Sequence, residues 1–392
     1  MKALCWQGVG QLAVETVPDP ALLNKQDVIV RVLASSVCGS DLHLLNGFVP
    51  AMKQGDVIGH EFLGEVVEVG SEVERHRVGD RVVVASPLGC GACVHCTEGR
   101  WSLCDNSNPT PELAEAVFGH AGAGIFGYSH AFGGFPGSHA EYIRVPFADH
   151  GAFAVPEGLS DEQALFLSDA VPTGWMAAEQ ADAGPGRTVA VWGAGGVGQM
   201  AARAAQLLHA EEVVIIDRVA GRLEAAVRNV PGVVPIDATS EDVHERLAEL
   251  NAGRGPDACV EAVGMESDSG VPQRTYDRVK QRMVPGTDRA GALRQAIRAC
   301  AKGGTVSVAG VFGGFVDKFP MGAVMNKALT LRSGQQHGQR YIPMLIDRVT
   351  RGELDPSVLA THRVGLEEGA DAYEVFSRRA DGCVRAVLYP GR

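Results

Sequence analysis

The stretch Gly193-Ala194-Gly195-Gly196-Val197-Gly198 decides the fold of the second part of this chain. It fits the pattern G-x-G-x-x-G, follows the apolar run at 188–192 and precedes a stretch of helical composition at 199–208. In that context the glycines permit a tight turn and close approach of the backbone to a pyrophosphate, which the N-terminus of the next helix attracts. The sequence therefore predicts a dinucleotide-binding unit, with cofactor contacts at Gly193, Gly195, Gly196, Val197 and Gly198.

The segments around this turn alternate between short apolar runs and helical stretches. We predict further strands at 213–217, 258–263 and 305–309 and helices at 223–228 and 243–250. Strands that alternate with helices imply a doubly wound parallel sheet of the Rossmann type, an α/β fold. Residues 1–150 instead carry period-two runs at 28–32, 64–69 and 80–84, which predict a β-rich domain.

An acidic residue, Asp217, closes the strand that follows the glycine turn. At this position a carboxylate hydrogen-bonds the ribose hydroxyls of the cofactor and repels a 2′-phosphate. NAD is therefore favoured over NADP. Arg218 and Arg222 lie close by in the sequence and weaken that preference, and we include both among the cofactor-binding candidates.

Four of the nine cysteines form the run Cys90-x2-Cys93-x2-Cys96-x7-Cys104. Four thiolates complete a tetrahedral zinc site with no open position, and such a site stabilises a loop instead of performing catalysis. Cys38 and His60 provide a second pair of zinc-type ligands, although a lone Cys and His at this separation would by themselves be weak evidence.

Three features together identify a family resemblance. The stretch Gly59-His60-Glu61-Phe62-Leu63-Gly64-Glu65-Val66, the four-cysteine run and the glycine turn resemble the zinc-containing medium-chain alcohol dehydrogenases. Within that family the chain is similar to the formaldehyde dehydrogenase-like branch, through residues 126–130, 167–174 and 333–335 and an insert after Gly264. The resemblance implies a GroES-like catalytic domain beside the Rossmann domain and an active site in the cleft between them.

The resemblance also implies the ligands of a catalytic zinc, which are Cys38, His60 and Asp169. Many members use a cysteine where this chain has Asp169, and a carboxylate is a harder ligand that loosens metal selectivity. Water or substrate would complete the site, and Glu61 is a possible alternative ligand. Two zinc ions per chain follow, one catalytic and one structural.

Further roles follow from the same resemblance. Ser40 corresponds to the hydroxyl that passes on the alcohol proton, and His43 to a relay group nearer solvent, since imidazole titrates near neutrality. Thr173 corresponds to a contact on the nicotinamide side and Arg385 to a contact with the pyrophosphate. The implied reaction transfers hydride between an alcohol and NAD, with the zinc as Lewis acid.

Composition excludes several other classes of function. The net charge of −12 argues against nucleic acid as a partner, because phosphate binding needs a basic surface. No run approaches the ~18–20 apolar residues of a membrane span, and an odd number of cysteines with no signal peptide predicts a reducing cytoplasm. The partner is then a small alcohol or aldehyde, and the family resemblance implies a homo-oligomer, with a tetramer as our prediction.

We predict a catalytic domain at 1–170 and 333–392, with the structural-zinc segment at 88–106, and a cofactor domain at 171–332. The polar stretch 265–291 predicts an insertion or a long surface loop. The stretch 109–137 is rich in glycine and aromatic residues, and 126–135 offers pocket-lining aromatic residues or a packed surface loop.

Two alternatives to an alcohol dehydrogenase stay open. One is a formaldehyde dismutase-like enzyme that holds NAD permanently, for which the insert would act as a cover. The other is a non-catalytic nucleotide- or zinc-binding protein on the same fold. The presence of Cys38, His60 and Asp169 disfavours the second, and also disfavours a zinc-free quinone reductase. Formaldehyde hydrate and primary, secondary and aromatic alcohols all remain candidate substrates.

Overall fold

The described residues are 1–267 and 287–391 of a computed structural model. They divide into two compact units. The first unit contains Met1–Pro172 and Gln336–Arg392, so that it is built from both ends of the chain. The second unit contains the intervening Thr173–Gln335.

The second unit is built around a parallel sheet of six strands. Its strands in spatial order are Val234–Asp237, Glu212–Asp217, Thr188–Trp192, Ala258–Glu261, Thr305–Val308 and Thr330–Ser333. Every pairing in this sheet is parallel. The order is that of two βαβαβ halves that meet at the central strand, as in dinucleotide-binding folds, and the predicted doubly wound α/β sheet is confirmed.

Helices connect the strands of this sheet. They are Gly196–Leu207, Ala220–Asn229, Val243–Ala248, Leu250–Gly253, Gly291–Ala299 and Met321–Asn326. The first of them begins within the glycine turn, at Gly196, three residues earlier than the helical composition at 199–208 predicted. The predicted helix at 243–250 ends at Ala248, and the next turn contains the left-handed residues Asn251 and Ala252, with φ values of 53° and 56°.

The first unit contains a seven-stranded sheet that is mostly antiparallel. Six of its strands lie in the order Ala360–Gly365, Arg385–Tyr389, Val28–Ser36, Glu61–Val69, Arg81–Val84 and Ala152–Ala154, and Tyr142–Val145 pairs with the start of Val28–Ser36. A second sheet has the order Gln11–Thr16, Lys2–Gly8 and Asp56–Val57. Alternating side chains from the larger sheet, including Val30, Phe62 and Val82, form a buried core.

The helices of the first unit are short, apart from two in its C-terminal segment. The α-helices are Gly39–Leu45, Val94–Thr97, Pro111–Phe118, Ala148–Gly151, Asp161–Leu165, Gly338–Thr350 and Gly369–Arg378. The 3₁₀ turns are Trp101–Leu103, His130–Phe132, Phe166–Ser168, Pro356–Leu359, Leu366–Glu368 and Ala380–Gly382. A further helix, Ala170–Gln180, begins in the first unit and continues into the second.

The insert predicted at 265–291 lies partly outside the described residues. Its described ends form the short strands Glu266–Ser267 and Thr287–Ala290, which pair with each other in parallel, and the second also pairs with Phe315–Val316. The ends of this stretch are therefore strands and not loop. No helix in the described ranges is both long and apolar enough to cross a membrane.

Candidate metal centre and cofactor site

Cys38 lies where the long strand Val28–Ser36 gives way to the helix Gly39–Leu45. Its backbone is extended, and its N–H donates to Oδ2 of Asp41 at 2.8 Å. Asp41 thereby satisfies one of the amide groups that a helix start leaves without an intrahelical partner. This local hydrogen bond fixes the turn that presents the Cys38 thiol to the interior, where the residue is 7% exposed.

His60 is placed by an unusual turn at Gly59. Gly59 has φ of +96°, and a Cβ atom there would lie 2.4 Å from Nδ1 of His139. Only glycine adopts this backbone at no steric cost and leaves room for that ring. The buried residue His60 immediately precedes the strand Glu61–Val69, so the start of that strand fixes its backbone.

The third predicted zinc ligand, Asp169, follows the 3₁₀ turn Phe166–Ser168 and precedes the helix Ala170–Gln180. Its Oδ2 lies 3.3 Å from Nε2 of His60 and 3.8 Å from Sγ of Cys38. A tetrahedral zinc with bonds of about 2.0–2.3 Å places its ligand atoms about 3.3–3.8 Å apart. One sulfur, one nitrogen and one carboxylate oxygen at these separations fit a catalytic zinc that keeps an open position.

Glu61 is also close to this cluster. One ligand atom of each of Cys38, His60, Glu61 and Asp169 lies within 4.8 Å of the others, so Glu61 is near enough to act as the alternative ligand that we predicted. Burial raises the pKa of Glu61 to about 7, although the charge of Arg385 acts in the opposite direction. Nη2 of Arg385 lies 3.1 Å from Oε1 of Glu61, and its Nη1 donates to the carbonyl of Val37.

Arg385 therefore forms an ion pair with Glu61 next to the metal cluster, and only 3% of its surface is exposed. Its contact with a cofactor pyrophosphate stays a prediction. The pairing with Glu61 was not predicted, because nothing in the sequence indicates that the strand Arg385–Tyr389 lies beside Val28–Ser36.

Sequence reasoning missed Asp41 as a member of the metal centre. Its Oδ1 lies 2.9 Å from Nδ1 of His60, and the carboxylate is almost fully buried. A carboxylate that accepts from the outer nitrogen of a ligating histidine fixes its tautomer and orientation. Burial acts to raise the pKa of Asp41, but His60 and the hydrogen bonds lower it below its usual value. Burial likewise opposes the charge on His60, yet Asp41 raises the pKa of His60 well above its ordinary value.

The two predicted relay residues lie on the helix Gly39–Leu45. Oγ of Ser40 is 3.3 Å from Nε2 of His60, on the side where the metal ligands converge. His43 is three positions later and so lies on the same face of the helix. The structure buries His43, with 6% exposed, whereas the resemblance implied a position nearer solvent. The relay role of both residues stays a prediction.

The four-cysteine run forms a separate cluster. The sulfur atoms of Cys90, Cys93, Cys96 and Cys104 all lie within 4.8 Å of one another, and all nine cysteines of the chain are free thiols. Burial opposes ionisation of Cys90, but N–H groups of Ala92 and Cys93 lower its pKa to about 7. This donor set suits a structural zinc, because thiolates are the ligand form and N–H donors stabilise them.

The glycine turn has the geometry that its sequence predicts. Gly193 has φ of +98°, and Gly195 precedes the first turn of the helix Gly196–Leu207. A Cβ atom at Gly198 would lie 1.7 Å from the carbonyl oxygen of Gly193, so a side chain cannot fit there. A Cβ atom at Gly195 would approach only the guanidinium of Arg222, at 3.8 Å. The surface over Gly195 therefore has room for a ligand, and Gly198 is required by packing.

Asp217 ends the strand Glu212–Asp217 and faces the same turn. Its carboxylate accepts N–H groups of Ala194 at 2.6 Å, Arg218 at 2.6 Å and Val219 at 3.0 Å. A carboxylate offers about four acceptor positions, so capacity remains for a ribose hydroxyl. Arg222 lies close to Gly195, as described above, and the cofactor roles of Thr173, Asp217, Arg218 and Arg222 stay predictions.

The aromatic residues at 126–135 separate into two groups. Phe126 packs edge-on against Phe62 and also against Phe135, as part of the core of the large sheet. Tyr128 instead lies edge-on to His60, with ring centroids 6.4 Å apart, and contacts Phe132 at 5.3 Å. Phe132 in turn contacts Phe118 at 6.0 Å, and Phe118 is 43% exposed. This row of three rings leads from the metal cluster to the surface of the first unit.

Comparison with known proteins gives a consistent result. Residues 24–157 match the model of the alcohol dehydrogenase GroES-like domain. The chain is 36% identical, over the full length of both proteins, to the zinc-type alcohol dehydrogenase-like protein AdhB of Bacillus subtilis. It is 32% identical to a glutathione-independent formaldehyde dehydrogenase of Pseudomonas aeruginosa, with 96% of this chain and 94% of that protein covered.

A solved structure agrees with these relatives. The alcohol dehydrogenase TADH of Thermus sp. ATN1 is similar with a TM-score of 0.83 and 32% identity, and 99% of each chain is covered. The similarity extends over both units and is not confined to the metal-binding part.

Proposed function

The chain belongs to the family of zinc-type alcohol dehydrogenases, and from this membership we propose that it oxidises an alcohol to an aldehyde or ketone, or the hydrate of an aldehyde to an acid, with a nicotinamide cofactor as hydride acceptor. The reverse reaction reduces the carbonyl compound. The observation that carries the proposal is the convergence of Cys38, His60 and Asp169 in a buried site with tetrahedral separations.

Different residues contribute to different parts of the proposed reaction. Cys38, His60 and Asp169 would hold a zinc that would supply Lewis acidity toward the substrate oxygen, and a bound nicotinamide cofactor would supply the hydride acceptor. Ser40 lies beside His60, where its hydroxyl can accept the substrate proton and pass it toward His43. Asp41 holds the imidazole of His60 in one orientation throughout the reaction.

We propose NAD as the preferred cofactor and two zinc ions per chain. Asp217 supports the first part, because a carboxylate next to the glycine turn repels a 2′-phosphate. Arg222 is the residue that weakens this preference, since its guanidinium lies near Gly195. The two separate groups of metal-type ligands support the second part.

For the substrate we propose an alcohol with an apolar, preferably aromatic, substituent. The ring row Tyr128, Phe132 and Phe118 begins next to a metal ligand and ends at an exposed side chain. Aromatic side chains provide a large apolar contact area, and aromatic pairs are favourable at centroid separations of about 4.5–7 Å. Burial raises the pKa of Tyr128 well above its usual value, so its phenol stays neutral.

The activity is tested with protein purified without added cofactor. We expect NADH to accumulate when NAD and an alcohol from a panel of short, branched and aromatic alcohols are added. Turnover of aldehyde without added NAD, together with nicotinamide that remains bound after purification, would instead assign the formaldehyde dismutase-like function. No turnover of any alcohol or aldehyde would leave a non-catalytic zinc-binding protein.

The substrate class is tested with Phe132→Ala. We expect KM for benzyl alcohol to rise about tenfold, with a much smaller change for ethanol, because a lost aromatic contact affects only the substrate that reaches it. Phe315→Ala is the matched control, since Phe315 is 79% exposed and belongs to the other unit. Equal changes in KM for both alcohols would contradict the proposal.

We propose that the protein acts in a reducing cytoplasm as a homo-oligomer, with a tetramer as the specific expectation. The free state of all nine cysteines supports the first part, and the family supports the second. We further propose that the two compact units are the catalytic and the cofactor domain. Light scattering of the purified protein measures the oligomeric state.

A further inference from the structure

A buried glutamine from the C-terminal segment of the first unit donates hydrogen bonds next to Asp169. This residue, Gln336, lies just before the helix Gly338–Thr350 and is 5% exposed. Its Nε2 lies 2.8 Å from Oγ of Ser86 and 3.1 Å from the carbonyl oxygen of Ser168. Gln336 therefore connects the C-terminal segment to the residue that immediately precedes a proposed zinc ligand.

The orientation of this amide follows from its acceptors. A carbonyl oxygen cannot donate, so the amide of Gln336 must direct its nitrogen and not its oxygen toward Ser168. The two hydrogens on Nε2 suffice for both contacts, with Oγ of Ser86 as the second acceptor. Oε1 of Gln336 has no hydrogen-bond partner in the described part of the chain, so within that part the amide pairs only through its nitrogen.

Ser86 holds the same carbonyl group from a second direction. It follows the strand Arg81–Val84, and its backbone N–H donates to the carbonyl oxygen of Ser168 at 3.3 Å. A carbonyl oxygen has two lone pairs, so it can accept both from this N–H and from Nε2 of Gln336. Ser86 and Ser168 are 5% and 0% exposed, so both hydrogen bonds are shielded from solvent.

The carbonyl of Ser168 shares a peptide plane with the N–H of Asp169. Because the peptide bond is planar, two donors that hold the carbonyl oxygen also restrain the nitrogen and the Cα atom of the next residue. The backbone of Asp169 has φ of −149° and ψ of −64°, which belong to neither a helix nor a strand. The position of the preceding peptide plane therefore contributes directly to where the Asp169 carboxylate lies.

The carboxylate of Asp169 has little freedom to move if it is to bind a metal with its two neighbours. Its Oδ2 lies 3.3 Å from Nε2 of His60 and 3.8 Å from Sγ of Cys38. Distances between a metal and its ligands stay within about 0.2 Å of their standard values. A small displacement of the Asp169 backbone is therefore sufficient to weaken metal binding.

We propose that Gln336 is a positioning residue of the metal centre, which holds the peptide plane before Asp169 so that its carboxylate faces the other two ligands. This inference rests on the proposed function, because it assumes that Cys38, His60 and Asp169 bind zinc. The C-terminal segment, which supplies none of these three ligands, thereby contributes to how firmly the metal is held.

The test measures zinc affinity in the full-length protein. Gln336→Met keeps the length of the side chain and removes both N–H donors. We expect the zinc at Cys38, His60 and Asp169 to bind about tenfold more weakly in competition with a chelator, whereas the zinc in the four-cysteine cluster should keep its wild-type affinity. The visible absorption of Co²⁺ bound in place of the catalytic zinc should also shift, because its carboxylate ligand changes position.

The matched control is Gln339→Met. Gln339 belongs to the same segment and is 6% exposed, and its Nε2 also donates to a backbone carbonyl, that of Pro87 at 2.6 Å. Pro87 is not adjacent in the chain to any of the three proposed ligands of the catalytic zinc. We expect wild-type affinity for that zinc and a wild-type Co²⁺ spectrum, even if Tm falls as much as in Gln336→Met.

Ser86→Ala keeps the test decisive if Gln336→Met does not fold. It removes the hydroxyl acceptor that orients the Gln336 amide and leaves the backbone N–H of Ser86 in place. Because one hydrogen bond is lost, we expect the catalytic zinc to bind about threefold more weakly, with a smaller shift of the Co²⁺ spectrum.

Wild-type zinc affinity and a wild-type Co²⁺ spectrum in folded Gln336→Met would overturn the proposal, as would the same result in Ser86→Ala if Gln336→Met cannot be obtained. Equal weakening of the catalytic zinc in Gln336→Met and Gln339→Met would also overturn it, since it would indicate a general structural role. A wild-type protein that binds only one zinc ion per chain would overturn the proposed function, and this inference with it.

Discussion

The carboxylate of Glu61 and the guanidinium of Arg385 form an ion pair behind the metal ligands, with Nη2 and Oε1 3.1 Å apart. Both side chains are buried, at 0% and 3% exposed. Neither is solvated, so each charge depends on the other. Arg385 belongs to the strand Arg385–Tyr389 of the C-terminal segment, and Glu61 immediately follows the proposed ligand His60. The ion pair therefore connects the C-terminal segment to the metal centre within the first unit.

Removal of one partner of this pair should be strongly destabilising. We expect Arg385→Met to lower the free energy of unfolding by about 3–5 kcal/mol, because it leaves a buried carboxylate without its counter-charge. The double variant Glu61→Gln with Arg385→Met should recover part of this loss. Thermal and denaturant unfolding measure both effects. If Arg385→Met unfolds like the wild type but raises KM for NAD, the residue acts as the pyrophosphate contact and the ion pair is dispensable.

Ser40 should contribute to turnover and not to metal binding. We expect Ser40→Ala to reduce kcat about 10²–10⁴-fold, the range typical of a lost proton-transfer group, while the zinc content stays unchanged. Ser40→Thr keeps a hydroxyl in the same place and should restore most of the activity. Steady-state kinetics and metal analysis of the three proteins test this role, which a fully active Ser40→Ala variant would exclude.

Two glycines of the same turn should behave differently. Gly198→Ala has no space for its methyl group, because the nearest carbonyl oxygen is 1.7 Å from the Cβ position, so we expect it to lower Tm as well as abolish cofactor binding. Gly195→Ala meets nothing closer than 3.8 Å, so Tm should be unchanged. Its methyl group should nevertheless weaken NADH binding by about tenfold, or about 1.4 kcal/mol, because we propose that the pyrophosphate approaches the turn at this residue.

These two variants are compared by thermal unfolding and by NADH fluorescence titration. Tight NADH binding by Gly195→Ala would show that the cofactor does not approach this turn. A Tm for Gly198→Ala equal to that of the wild type would contradict the packing described for the turn.

Zinc binding at the catalytic site should depend on pH. Burial alone would lower the pKa of His60, but Asp41 raises it well above its ordinary value, so the metal-free protein carries a proton there at neutral pH. Zinc must displace that proton, so affinity should increase as pH rises, with at least about one proton released. Calorimetry in buffers of different ionisation enthalpy counts these protons. Zinc binding with no proton release would contradict the proposed ligands.

The sequence predicted the parts of the fold that have strong local signals. The glycine turn, the strands beside it and the four-cysteine run depend on residues close together in the chain, where spacing and composition carry the information. The edge strands Val234–Asp237 and Thr330–Ser333 were missed. The first is short and contains a proline, and the second has every residue exposed, so neither shows a clear apolar pattern.

The surroundings of the metal centre were harder to predict than its ligands. Asp41 lies between Cys38 and His43, where its sequence position indicates only an ordinary helix-capping acid. The folded chain brings it to His60. Glu61 and Arg385 are far apart in the sequence, and the residues around each of them do not indicate that the two side chains pair. Contacts between distant segments decide their role, and no pattern in one sequence records such contacts.

The central claim is that Cys38, His60 and Asp169 bind a catalytic zinc, and the most direct test is to measure zinc per chain in the wild type and in Asp169→Ala, alongside NADH formation with an alcohol. We expect two zinc ions per wild-type chain and NADH formation, and one zinc ion with almost no activity in Asp169→Ala. The zinc that remains should belong to the four-cysteine cluster. Two zinc ions and full activity in Asp169→Ala, or one zinc ion in the wild type, would contradict the account.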